Sequence, residues 1–114
     1  GENPDPLGEQ QLYEYDEYKL QFRRLDFGKK RGIYEFSTYD PETKDTPPSW
    51  GLHPYAEVGV ILEGKMEVNL DGTVYLLGPG DSIYIKPNLY HTMRNAGDTP
   101  CRSFWHLQIM DDSV

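Results

Sequence analysis

Three side chains carry the types and spacing of a metal-ligand set: His53 and Glu57, four apart, and His91 downstream. Two imidazoles and one carboxylate suit Fe(II), Mn(II), Zn(II), Ni(II) or Co(II), and a set of three leaves coordination positions open. Glu57 opens an apolar run (Val58, Val60, Ile61, Leu62) with the length and β-branched content of a buried strand. On a strand, residues four apart share a face, so His53 and Glu57 are expected to point into one interior. The same trio could instead form a metal-free cluster, because a buried carboxylate needs partners and imidazoles provide them.

Those residues must be held by short strands and tight turns. Ile33 to Tyr39 alternates and is rich in β-formers, which predicts a strand. Asp40 to Trp50 contains Pro41, Pro47 and Pro48 and reads as a loop leading to His53. Strands are expected at Lys65 to Leu70 and Thr73 to Leu77, joined by a type I′ turn at Asp71-Gly72, and then at Ser82 to Lys86. A turn at Pro87-Asn88 returns the chain to a strand beginning at His91, and Cys101 to Met110 reads as a closing strand. Such spacing means an all-β barrel or sandwich. Residues 1–17 read as a linker or flexible arm, residues 18–114 as the barrel, with a charged hairpin turn at Gly28 to Gly32.

Two segments, GLHPYAEVGVILEG and GDSIYIKPNLYHTMRN, resemble the paired motifs of the cupin family, G-x5-H-x-H-x3,4-E-x6-G and P-x-G-x2-H-x3-N. His53, Glu57, Gly64, Gly80, His91 and Asn95 match in place; the family's first histidine falls on Gly51, and Lys86-Pro87-Asn88 fills the second motif's turn. The resemblance implies a cupin, or double-stranded β-helix, jelly-roll-like barrel. It also implies a divalent metal at His53, Glu57 and His91, one ligand short of the usual four. Some cupin enzymes similarly use His-x3-Glu and a distant His, among them the iron-dependent epoxidase of phosphonate antibiotic synthesis. The strings HPYAEVGVILEG and NAGDTPCRSFWHL are similar to sensory cupin domains joined to a helix-turn-helix in bacterial transcription regulators. By that likeness the chain is expected to be the ligand-binding part of a regulator; the alternative is a stand-alone metal-dependent isomerase, lyase or oxygenase.

A ligand pocket is expected beside the metal, lined by Trp50, Tyr55, Gly59, Tyr90, Met93 and Trp105, with Gly59 opening space two residues past Glu57. Met93, Met66 or aromatic side chains plugging it would mean a structural oligomer instead. His106 alternates with Phe104 and Gln108, a strand histidine rather than a fourth ligand; Lys86 is expected in solvent, and Tyr84 on an outward face that could meet a second subunit. The sole cysteine, Cys101, excludes an internal disulfide and reads as a small buried hydrophobe. A net charge of −8 argues against nucleic acid or an anionic membrane as a direct partner. The expected partners are thus a small molecule and a second copy of the chain, in the cytoplasm.

Overall fold

The computed structural model describes residues 3–109. Ten strands form two antiparallel sheets: β1 (Gln11–Tyr15), β2 (Leu20–Asp26), β3 (Ile33–Tyr39), β4 (Ser49–Gly51), β5 (Ala56–Glu63), β6 (Met66–Leu70), β7 (Thr73–Leu77), β8 (Ser82–Ile85), β9 (His91–Asn95) and β10 (Cys101–Gln108). A six-stranded sheet runs β1-β2-β3-β10-β5-β8 and a four-stranded sheet runs β4-β9-β6-β7. Among the described residues the only helices are two 3-10 turns, Leu7–Glu9 and Asp16–Tyr18. No helix among them is long and apolar enough to cross a membrane.

Turn chemistry sets the registers. Asp71 and Gly72 both have positive φ, as the two-residue β6–β7 hairpin demands. Gly64 (φ 79°) brings its backbone so close to Pro100 that a Cβ would lie 2.6 Å from the Pro100 carbonyl oxygen. Asn88 occupies the motif position where the family has glycine and takes the same left-handed conformation, φ 62°. Its N–H donates to the His53 carbonyl at 2.8 Å and so ties the second motif to the first.

The core lies between the sheets, where Ile61, Met66, Val68, Ile85, Cys101 and Trp105 are buried. Cys101 is fully enclosed, and burial pushes its thiol up to about 11, which keeps it protonated and inert at neutral pH. Alternation along β10 puts Trp105 and Leu107 inside; His106 stacks on Tyr34 outside, 4.9 Å between centroids. Tyr84 is exposed on the outer face and Lys86 is exposed beyond the end of β8.

Two sequence expectations change. The arm expected over residues 1–17 contains a paired strand, because Gln11–Tyr15 lies antiparallel against β2 and Tyr13 stacks on Phe22 at 4.9 Å. The loop expected up to Trp50 ends sooner, at β4, whose Gly51 pairs with His91. That loop is pinned: Arg94 donates two hydrogen bonds to Glu42, at 2.9 and 2.8 Å, and one to the Thr46 carbonyl at 3.1 Å.

Candidate metal centre

Each triad residue comes from a different local setting. Glu57 is on β5, in the cross-strand row Ile33–Leu107–Glu57–Ile85 on the inner face of the large sheet. His91 opens β9 on the small sheet. His53 is not on a strand as expected; it sits in the short connection before β5, its ring stacked on Tyr55 with centroids 4.0 Å apart. The three ligand atoms nevertheless converge, all within 4.8 Å of one another.

Both imidazoles are oriented by their outer nitrogens. His53 Nδ1–H donates to the Tyr55 carbonyl and His91 Nδ1–H to the Leu89 carbonyl, each at 2.8 Å. With Nδ1 donating to a backbone carbonyl, each neutral ring turns its Nε2 lone pair inward, the orientation in which a histidine can bind a metal. The two Nε2 atoms each lie 3.3 Å from Glu57 Oε2. That oxygen is buried and accepts no hydrogen bond among the described residues. Three electron-rich atoms therefore face one another with nothing positive between them, an arrangement that favours a cation, either a proton or a metal ion.

The electrostatics follow that geometry. In the metal-free centre burial alone pushes the Glu57 carboxyl up, but the imidazole contacts, with a proton as the cation, outweigh it and hold the group down at about 2. The same contact, with Glu57 as the largest influence, raises the His53 imidazole above its ordinary value, while partial burial opposes the rise. The donor set also fits an ion by size. Ligands about 2.1 Å from a shared ion lie roughly 3.0 to 3.4 Å apart in octahedral or tetrahedral arrangements. Two of the three edges here are 3.3 Å.

Beside the triad is an open cavity of about 440 Å³. Trp50, Tyr55, Met93 and Trp105 line it as expected, and Met66 is in the packed core, so the cavity is not plugged. Two expected lining residues are elsewhere. Gly59 opens no space, because the Trp105 indole lies on it and a Cβ there would sit 2.4 Å from the ring. Tyr90 is about half exposed and backs the Trp50 ring from outside, centroids 6.1 Å apart.

The cavity also contains residues the sequence did not single out: Phe22 and Arg24 from β2, and Glu35, Ser37 and Tyr39 from β3. Arg24 Nε–H donates to Glu35 Oε2 at 3.1 Å, and Nη2–H donates to the same oxygen. Burial lifts the Glu35 carboxyl above its ordinary range, against the opposing pull of Arg24; Glu57 also raises it, which places the two acids within reach of each other's field. Ile33, Glu35 and Ser37 share a face in the sequence, and that alternation was the available signal.

Comparison with known proteins bears on the family and the fold. Residues 35–107 match the family model described as "Cupin domain". The chain is 39% identical over 56 residues to the polyketide synthase CurC of Streptomyces cyaneus (48% of this chain, 36% of that protein). It is 33% identical over 79 residues to the mannose-1-phosphate guanylyltransferase of Escherichia coli K12 (65% of this chain, 16% of that protein). The chain thus spans about a third or less of the length of these curated relatives. Among solved structures, an RmlC-like cupin from Shewanella frigidimarina superposes with a TM-score of 0.74 at 19% identity, covering 100% of this chain and 97% of that one. Fe(II) HppE gives 0.76 at 15% identity, covering 90% and 58%. The cupin domain of an XRE family transcriptional regulator from Enterobacter cloacae gives 0.70 at 14%, covering 81% and 98%. At such identities these structures speak to the fold alone. With the family model matched over most of the barrel and the motif residues in place, the chain belongs to the cupin family.

Proposed function

We propose that this chain binds a divalent first-row transition metal through His53, Glu57 and His91 and uses it to hold a small oxygen-donor molecule in the adjoining cavity. The observation that carries this reading is Glu57 Oε2, buried without a hydrogen bond between two imidazole nitrogens whose outer N–H groups are already committed. A bound ion would supply Lewis acidity at positions that three protein ligands leave open. The chain's own residues do the rest. Glu57 brings one negative charge, the Tyr55 and Leu89 carbonyls fix the imidazole orientations, and Tyr55 and Trp105 wall the cavity with aromatic surface. Glu35 adds a second, partly buried carboxylate, raised by burial, with Oε2 committed to Arg24. A carboxyl of that kind can accept a proton from a ligand O–H or acidic C–H at neutral pH.

This pairing of a metal centre with a proton-accepting acid favours an enzyme of isomerase, lyase or oxygenase type. Similarity to a protein named as a polyketide synthase supports small-molecule chemistry, and the structure of Fe(II) HppE is a case of this shared fold with iron. A sensory role in a transcription regulator is the second reading, supported by alignment over nearly all of the Enterobacter cloacae regulator's cupin domain.

Elemental analysis after growth in metal-supplemented medium tests the proposal. Stoichiometric metal is expected in the unsubstituted protein and is lost in His91→Ala and Glu57→Gln. No metal in the unsubstituted chain, or metal retained in both variants, overturns it. Turnover of enolisable carbonyls or phenols by the loaded protein would favour the enzyme; binding without turnover would favour the sensor.

A further inference from the structure

We infer that the cavity selects a flat ring or enol bearing adjacent oxygens and at most one negative charge, and rejects phosphorylated ligands, because the one arginine or lysine among its described lining residues, Arg24, is already neutralised by Glu35. The inference rests on the metal reading above for the ligand's anchoring, and on the cavity wall for its selectivity.

Charge is the first argument. Among the residues lining the cavity the ionisable groups besides tyrosines are Arg24, Glu35, His53, Glu57 and His91. Arg24 and Glu35 cancel, and a divalent ion with Glu57 leaves a single positive charge. A monoanionic chelate balances that charge; a phosphate dianion overshoots it inside a partly buried site, where uncompensated charge is costly. Phosphate recognition also draws on free arginine or lysine, or on backbone N–H groups at a helix N-terminus. No α-helix occurs among the described residues, and Lys86 is exposed and outside the lining.

Arg24 is not readily recruited away. Its Nε and Nη2 both serve Glu35, and its guanidinium lies over the Tyr13 ring at 5.5 Å from the centroid. The Glu35 side chain is largely buried, so pulling Arg24 toward a ligand phosphate would leave that carboxylate without its partner.

Shape is the second argument. Phe22, Trp50, Tyr55 and Trp105 present aromatic surface to the cavity, and aromatic side chains stack or edge-pack best against another flat ring.

The two tryptophans of the chain, Trp50 and Trp105, both line the cavity, so their fluorescence reports occupancy. Zn(II)-loaded protein, with its metal content measured, is titrated with catechol and with phenyl phosphate. Catechol is expected to bind at least about tenfold tighter, the scale of one charge-assisted contact. In Glu35→Gln, which releases Arg24, phenyl phosphate should gain about tenfold or more in affinity. Equal affinity for the two probes in the unsubstituted protein overturns the inference without relying on any variant to fold; a folded Glu35→Gln with an unchanged ratio also overturns it. The measured metal content separates the two readings. A chain that takes no metal sinks the metal proposal and the anchoring assumed here with it; a chain that holds metal yet binds phenyl phosphate as well as catechol sinks this inference alone.

Discussion

Gly51 faces His91 across the β4–β9 pair, and a Cβ built on Gly51 would lie 2.7 Å from His91 Nε2. The position where the family places its first histidine is thus closed by the ring of another ligand. Because Leu89 holds His91 Nδ1, the ring cannot yield without losing that hydrogen bond.

Gly51→Ala is therefore expected to weaken metal binding by about tenfold or more, the usual cost of disturbing a ligand's orientation. Gly51→His is expected to displace His91 rather than rebuild a four-ligand centre. Competition against a chelator measures both, and unchanged or tighter binding in either variant would show that the site has room to spare.

Acid and base act on the metal-free centre in opposite senses. The Glu57 carboxyl is depressed from 4.5 to about 2, so its contribution is present above pH 4.5 and disappears as pH falls toward 2. That shift corresponds to about 3 kcal/mol. The His53 imidazole is raised from 6.5, so its contribution is present below pH 6.5 and is lost as pH rises through the raised value. Both describe one contact and are not additive. Urea midpoints of metal-free protein should peak between pH 4.5 and 6.5. Metal affinity should rise with pH, because the ion must displace the His53 proton. A midpoint that does not move from pH 3 to pH 9 is the contrary result.

Asn95 matches a motif position yet takes no part in the triad. It is buried, its amide donates to the Tyr39 and Thr99 carbonyls at 2.9 and 2.8 Å, and its carbonyl accepts the Gly97 N–H at 2.8 Å. It ties the end of β9 to β3 and closes the turn toward β10. Asn95→Ala should cost about 2 to 4 kcal/mol through the buried groups left unpaired, with metal stoichiometry unchanged. Denaturation and elemental analysis together check this, and loss of metal from a folded variant would reassign Asn95 to the site.

The triad was legible because ligand types and motif glycines keep fixed spacings, and Asp71-Gly72 because few residues accept two successive positive φ angles. Other features turn on what alternation cannot say. On β3 it separates Ile33, Glu35 and Ser37 from Tyr34 and Phe36 without telling which set is inside. Here the more polar set faces in, because that part of the interior is a cavity, and the aromatic rings pack outside against Phe104. β1 was hidden because its side chains are mostly exposed, so pairing with β2 carries it in place of an apolar pattern. Gly59 looked like a vacancy because the residue that fills it, Trp105, is distant in sequence.

Gly59→Ala decides that last point by its sign. Were the space open, an alanine in strand β5 would stabilise the fold by about 0.4 to 1 kcal/mol through the unfolded chain. Instead the new Cβ would lie 2.4 Å from two carbons of the Trp105 ring, which is buried and held by Nε1–H donation to Ser103 Oγ at 2.8 Å. The ring can relieve the clash only by moving away from β5, straining that hydrogen bond, so a loss of about 1 to 3 kcal/mol is expected. Urea denaturation gives the sign, and a shift in tryptophan emission would report the displaced indole. A stabilised variant would mean that Trp105 does not rest on Gly59, and the cavity wall described above would have to be redrawn.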